Sequence, residues 1–153
     1  MQIMGYNRVV KDLCGLSDEQ FINKLKEKFD IQKLSNKRGP KERFSFTMLL
    51  GNHWYCLTAK KQIIKEDSVL RLDASILQNH ILKPILKIED PRTDKRIDFV
   101  GGIRGLEELE RRCSSDAKVA FVLYPVSIED LLRVSDDNKV MPPKSTWFEP
   151  KLR

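Results

Sequence analysis

Phe44-Ser45-Phe46-Thr47-Met48-Leu49-Leu50-Gly51-Asn52-His53-Trp54-Tyr55-Cys56-Leu57-Thr58 is the stretch that decides the fold. Phe44, Phe46, Met48 and Leu50 alternate with Arg43, Ser45, Thr47 and Leu49, the two-residue period of a half-buried strand. Gly51-Asn52 follows, and glycine in the first central position suits a type II′ turn, whose backbone twist matches that of the flanking strands. His53 to Thr58 then returns as the antiparallel partner. The expectation is a hairpin over 43–58.

Upstream, Ser17-Asp18-Glu19-Gln20 is a capping box, and Phe21, Ile22, Leu25 and Phe29 recur at helical spacing, which predicts a helix over 18–29. Asn36-Lys37-Arg38-Gly39-Pro40 ends that pattern, and Gln2 to Val10 reads as an opening strand. Downstream, Asp73 is positioned to cap a helix carrying Ile76, Leu77, His80 and Ile81, until Pro84 removes an amide donor. Ile88 to Arg96 reads as a charged loop, Ile97 to Val100 as a short strand, and Leu106 to Cys113 as a helix. Val119 to Tyr124 is a near-continuous apolar run that stops at Pro125, as expected of a central strand covered on both faces. Ser127 caps a last helix over 128–135, with Asp130 at the capping-box position, and the tail beyond Asn138 is punctuated by proline. These elements describe an α+β domain whose mixed sheet contains a β-hairpin, with helices packed on it.

Composition bounds the rest. The 153 residues suffice for one domain with its own core, and 41% apolar against 33% charged residues is the balance of a globular chain. No window approaches the roughly 20 apolar residues of a membrane span, so the expected setting is cytoplasmic and away from membranes. Three widely spaced cysteines, Cys14, Cys56 and Cys113, make neither a disulfide framework nor a zinc ribbon. The net charge of +6 draws phosphates, but acids interrupt the basic residues throughout, and no run of lysines or arginines marks a nucleic-acid arm.

Two segments carry anion-binding chemistry. Gly101-Gly102-Ile103-Arg104-Gly105 joins a strand to a helix, where unpaired amides and the helix dipole favour negative charge and Arg104 adds a charged fork. Its ordinary alternative is a tight turn in which glycine supplies a positive φ, since the spacing matches neither a phosphate-binding loop with its lysine nor a dinucleotide fingerprint. Lys144-Ser145-Thr146 follows two prolines that stiffen the backbone, with Trp147 and Phe148 as stacking faces; the alternative is a tail that drapes its aromatics over the core. Asp98, just before the glycine turn, is a base or metal-ligand candidate, against a capping or ion-pair role. Asp90, Arg92, Asp94, Lys95 and Arg96 form a mixed-sign cluster that reads first as a solvated loop. His53 and His80 have no partner at metal-ligand spacing, and no hydrolase, metalloprotease or redox motif is present.

Five strings resemble the C-terminal half of the DUF1015 family of bacterial and archaeal proteins: Tyr6-Asn7-Arg8-Val9-Val10-Lys11-Asp12-Leu13, Leu72-Asp73-Ala74-Ser75-Ile76-Leu77, Asp90-Pro91-Arg92-Thr93-Asp94, Asp98-Phe99-Val100-Gly101-Gly102, and Met141-Pro142-Pro143-Lys144-Ser145-Thr146-Trp147-Phe148. They follow in the family's order over nearly the whole chain. The resemblance implies a longer protein, with this chain as its C-terminal part and continuing past Leu152. It also implies an N-terminal half with an Asp-Gly-His-His-Arg-type motif akin to the ParB/sulfiredoxin superfamily, which includes nucleotide-dependent enzymes and a free-serine kinase. That motif does not occur here, so any chemistry seated in it does not carry over.

The reading that follows is a phosphate-, nucleotide- or anionic-metabolite-binding portion of a ParB-like phosphotransfer protein. Gly101, Gly102, Arg104, Lys144, Ser145 and Thr146 are its ligand-binding residues, and Arg8 and Asp98 are further candidates beside the matched strings. Its expected partners are a phosphate-bearing small molecule and the N-terminal half that would supply catalysis. The alternative is a non-enzymatic DNA-binding, chromosome-partitioning-like or scaffold module; DNA ranks second because no helix carries a basic recognition stripe. Cofactor and catalytic residues are left open.

Overall fold

The computed structural model describes residues 2–4, 6–67, 69–91, 93–101, 105–125, 128–138 and 147–149, with side chains described between Tyr6 and Asn138 except those of Ile128, Asp130 and Leu131. In chain order the elements are β1 (Gln2–Met4), β2 (Tyr6–Val10), α1 (Asp18–Leu25), β3 (Phe29–Leu34), β4 (Ser45–Leu50), β5 (His53–Ala59), α2 (Asp73–Leu77), β6 (Ile97–Gly101), α3 (Gly105–Ser115), β7 (Val119–Leu123), α4 (Ile128–Asp136) and β8 (Trp147–Glu149). A six-stranded sheet runs β3-β5-β4-β7-β2-β6, and β1 pairs with β8 in a separate two-stranded ribbon. No helix among the described residues is long and apolar enough to cross a membrane.

The α+β class and the hairpin stand. Within the six-stranded sheet, however, every pairing is antiparallel rather than mixed. β6 and β7, joined through α3, do run parallel to each other, but β2 lies between them and pairs with both, so no parallel ladder forms. The hairpin has the expected turn. Leu50 faces His53, Gly51 sits at φ 62, and Asn52 is not among the residues of positive φ, the pattern of type II′.

Sidedness follows from the two-residue period of the strands. On one face Val10, Phe46, Met48, Leu50, Leu57, Val119 and Phe121 pack with Phe21 and Leu25 of α1 and with Ile76, Leu77, Ile81 and Leu82. Phe21 meets Phe121 edge-on at 6.5 Å, and Phe29 meets Phe46 at 6.0 Å. On the other face Val9, Leu49, Trp54, Val100, Ala120 and Val122 pack under Leu109 and Leu106 of α3. All six positions of β4 are therefore buried, where its alternation predicts a half-buried strand. With β7 beside it in the middle of the sheet, β4 has helices over both faces.

Three local expectations are corrected. Helix α1 has its capping box, Ser17 Oγ accepting from the Gln20 amide at 3.1 Å and Gln20 Oε1 from the Ser17 amide at 3.0 Å, but it ends at Leu25. Phe29 belongs to strand β3, paired with Ala59, because the spacing from Phe21 fits a helix face and a strand start equally well. Gln2 to Val10 is two strands in two different sheets rather than one. Asp73 does not cap α2. Leu72 is the cap residue and makes no side-chain cap bond, while the Asp73 carboxylate accepts the Phe44 amide at 3.1 and 3.2 Å. The helix continues past Leu77 as a π turn over Gln78–Leu82, where the Lys83 amide reaches back to the Gln78 carbonyl at 2.9 Å. Ser127 and the tail over 139–146 lie outside the described residues.

Candidate functional site

Of the anion-binding residues expected from sequence, Gly101 is described, while Gly102, Arg104, Lys144, Ser145 and Thr146 lie outside the described residues. Gly101 is the last residue of β6, opposite Tyr6 at the start of β2. Gly105 is the first residue of α3, and its φ of 77 is a conformation that L side chains rarely adopt. The first turn of α3 carries Glu107 and Glu108. Glu107 and Glu110 share Lys37 at 3.6 and 2.9 Å, and Glu108 holds Arg111 at 2.7 Å. These acids already complement the positive end of the helix dipole, so an anion at this turn must be held by groups other than the dipole alone.

Such groups lie on the sheet beneath α3. Asn7, Ser45 and Thr47 are three of the few buried polar side chains, at 4%, 4% and 0% exposure. Alternation puts them on the same face as Val9, Leu49 and Val100. Asn7 faces Val100 across the β2–β6 pair, one residue before Gly101, so it stands beside the end of β6. Thr47 pairs with Val122 and with Cys56, and Ser45 with Thr58, which extends a row of hydroxyl and thiol groups across β4 and β5. Thr47 Oγ1 is fully buried and makes no hydrogen bond. A buried hydroxyl without a partner costs about 1–3 kcal/mol, and a structure retains one where something else supplies the partner. Sequence reasoning passes over these residues because alternation within a hairpin assigns Ser45 and Thr47 to solvent.

The two further candidates do not converge. Arg8 pairs with Phe99 and Phe121 on the α1 face, its guanidinium 5.0 Å from the centre of the Phe99 ring and donating to the Tyr6 carbonyl. Burial pushes it down to about 10. Asp98 lies on the α3 face, where its carboxylate takes Arg112 at 2.9 Å, and Arg112 also holds Asp116 at 2.9 Å. These bonds raise Arg112 above its ordinary range and give Asp98 an ion-pair role at the sheet edge. In the charged loop, Arg96 is occupied by Asp94 at 2.9 Å and by the Lys87 carbonyl at 2.9 Å, an arrangement that shapes the loop. Among the described residues, no group of three His, Cys, Asp or Glu is placed to hold a metal.

A second cationic place was not expected. Phe44, just before β4, has φ 66, and the guanidinium carbons of Arg43 and Arg71 lie 5.3 and 5.8 Å from the centre of its ring. The sequence signal for it is Arg71 preceding Leu72-Asp73, whose function is visible only once Asp73 meets Phe44.

Residues 1–75 match the family model described as "Protein of unknown function (DUF1015)". Among solved structures, the chain resembles a free serine kinase in complex with AMP (TM-score 0.56, 11% identity), with 95% of this chain and 53% of that one covered. A point mutant of free serine kinase in complex with ADP matches with TM-score 0.55, 13% identity and the same coverage. A conserved hypothetical protein from Pyrococcus furiosus matches with TM-score 0.51 and 14% identity, over 95% of this chain and 55% of that one. At these identities the likeness is one of fold, and the chain spans about half the length of the solved structures it matches. No curated protein matches it.

Proposed function

We propose that this chain, whose residues 1–75 match the DUF1015 family model, is the phosphate- or nucleotide-binding portion of a ParB-like phosphotransfer protein whose catalytic groups lie in another part of the molecule. The observation that carries this reading is the fully buried, unpartnered Thr47 hydroxyl, on the same sheet face as buried Ser45 of its own strand and, two strands away, buried Asn7 beside the end of β6. A ligand that brings oxygens to this face gives those donors their acceptors. At ordinary strand spacing Asn7 and Thr47 stand about 10 Å apart, on either side of Val122 of β7. Gly101 and Gly102 allow close approach of the ligand to the backbone. Arg104, with Lys144, Ser145 and Thr146, supplies the positive charge and hydroxyls that an oxyanion needs. The likeness to a kinase fold seen with AMP and ADP agrees with this ligand class.

Thermal unfolding with and without ATP, ADP, inorganic phosphate and serine tests the reading. A ligand present at a hundredfold excess over Kd adds about 2.7 kcal/mol. For a chain of this size that is a rise of about 5–10 °C in Tm. The rise is expected with at least one phosphate-bearing compound, and it is expected to shrink in Lys144→Ala and in Thr47→Val. No rise with any of them, from a chain shown to be folded by circular dichroism, overturns the proposal and favours the scaffold or DNA-binding alternative.

A further inference from the structure

We propose that Lys28, Lys65 and His80 form a second binding site, for a small oxyanion, at the end of the β3–β5 pair and apart from the site beneath α3. The backbone is the first observation. One step beyond the pairing of Phe29 with Ala59, the Lys60 amide donates to the Lys28 carbonyl at 3.0 Å, which sets two lysines opposite each other at the end of the ladder. A single helical turn over Lys61–Ile63 then leads to Lys65. Ile63 is buried in the same core as Ile81, the neighbour of His80, so these segments close one end of that core. His80 itself lies in the π turn over Gln78–Leu82, an irregularity found frequently at functional sites.

Charge is the second observation. The other lysines of this end have structural work. Lys60 Nζ donates to the Lys26 carbonyl at 3.0 Å, and Lys24 and Lys26 lie at the C-terminal end of α1, where cations complement the helix dipole. Lys28, half-buried, and Lys65, exposed, form no ion pair or side-chain hydrogen bond with a described residue. Both of their charges act on the His80 ring, and no acid among the described residues is set against them there. The third observation is that His80 Nδ1 is buried with no hydrogen-bond partner. With no acceptor at Nδ1, the neutral ring carries its hydrogen on Nε2, which is then a donor for an oxyanion. Burial, and after it the two lysines, keep the ring neutral at pH 7 in the ligand-free chain. An anion in contact with all three groups relieves the repulsion and favours the imidazolium, so binding and proton uptake by His80 support each other.

The chain has two histidines, so the ring resonances of His80 read the site directly in a spectrum of the whole 153-residue chain. They are assigned by their loss in His80→Gln or, should that variant not fold, by what remains in His53→Gln. The probes are sodium phosphate and sodium succinate, each titrated at constant ionic strength against sodium chloride. The expected result is a saturable shift of the His80 signals with a Kd of about 1 mM or below, while exposed His53 stays still. In saturating ligand the His80 titration midpoint should rise by about half a pH unit or more. Lys28→Gln and Lys65→Gln are each expected to weaken binding about tenfold, as the loss of a charge-assisted contact does. Saturation by phosphate alone or by succinate alone identifies the oxyanion class. Thr47→Val and Lys144→Ala should leave the titration unchanged, which separates this site from the one proposed above. No saturable movement up to about 20 mM of either salt, a response equalled by chloride, or indifference to either lysine variant overturns the proposal.

Discussion

Thr47 is fully buried, its Oγ1 lacks a partner, and its neighbours on the same face are Val122 across one strand and Cys56 across the other. If the hydroxyl awaits a ligand, removing it from the ligand-free chain should help rather than harm. Thr47→Val exchanges the hydroxyl for a methyl of similar shape, and the expected outcome is a stability gain of about 1 kcal/mol, with Tm up by about 2–4 °C. A loss of that size in denaturant unfolding would show that the hydroxyl already has an acceptor. Cysteine chemistry is a matter of the same scale. Burial pushes the Cys113 thiol up to about 11, while Cys14 is exposed. Because the thiolate is the nucleophile, a disulfide reagent at pH 8 should modify Cys14 in the folded chain and reach Cys113 only on unfolding. Equal rates at the two sites would refute this. Neither contrast is legible in the spacing of Cys14, Cys56 and Cys113, because burial is a property of the packed molecule.

Among the elements, the helix that begins at Asp73 is the least regular. Its second half is a π turn, and His80 within it has a buried Nδ1 with no hydrogen-bond partner. Burial holds the imidazole below its ordinary value, and the charges of Lys28 and Lys65 push the same way. The sign follows from proton counts. Above the ordinary histidine value, about 6.5, folded and unfolded chains both carry a neutral ring and His80 contributes no pH dependence. As pH falls through that value the unfolded chain takes up a proton that the folded chain resists, so stability declines, and the decline stops once pH passes the lowered folded value. The wild-type chain should therefore lose stability between about pH 7 and pH 5 more steeply than His80→Gln. Coincident urea-unfolding profiles over that range would contradict this. Elements encoded by local signals were legible: the Ser17 capping box and the Gly51-Asn52 turn both form as read. β3 was not, because Phe29 and Ile31 satisfy a strand only when the edge of β5 is there to pair with them.

Over the whole molecule, stability rests on a sheet with a core on each face. Phe121 is fully buried at the middle of the larger core, edge-on to Phe21 and opposite Met48 and Arg8 on the neighbouring strands. Phe121→Ala should cost about 3–5 kcal/mol, whereas Asp98→Asn, which breaks a half-exposed pair with Arg112, should cost less than about 1 kcal/mol. Chemical denaturation of the two variants checks the ordering, and comparable losses would show that the sheet edge matters as much as its centre. By itself the sequence determined the α+β class, the hairpin at Gly51, the central place of Val119 to Leu123, and the resemblance to the DUF1015 family. Those follow from local spacing, turn chemistry and matched strings, which need no knowledge of what lies across the core. Only the tertiary structure decided that the sheet is antiparallel throughout, because that depends on β2 entering between β6 and β7. It alone placed Arg8 and Asp98 on opposite faces, turned Ser45 and Thr47 from solvent into the floor beneath α3, and gathered Arg43, Phe44, Arg71 and Asp73. Each of those outcomes pairs residues distant in the chain, and the free energy that selects them is the burial of both faces of one sheet at once.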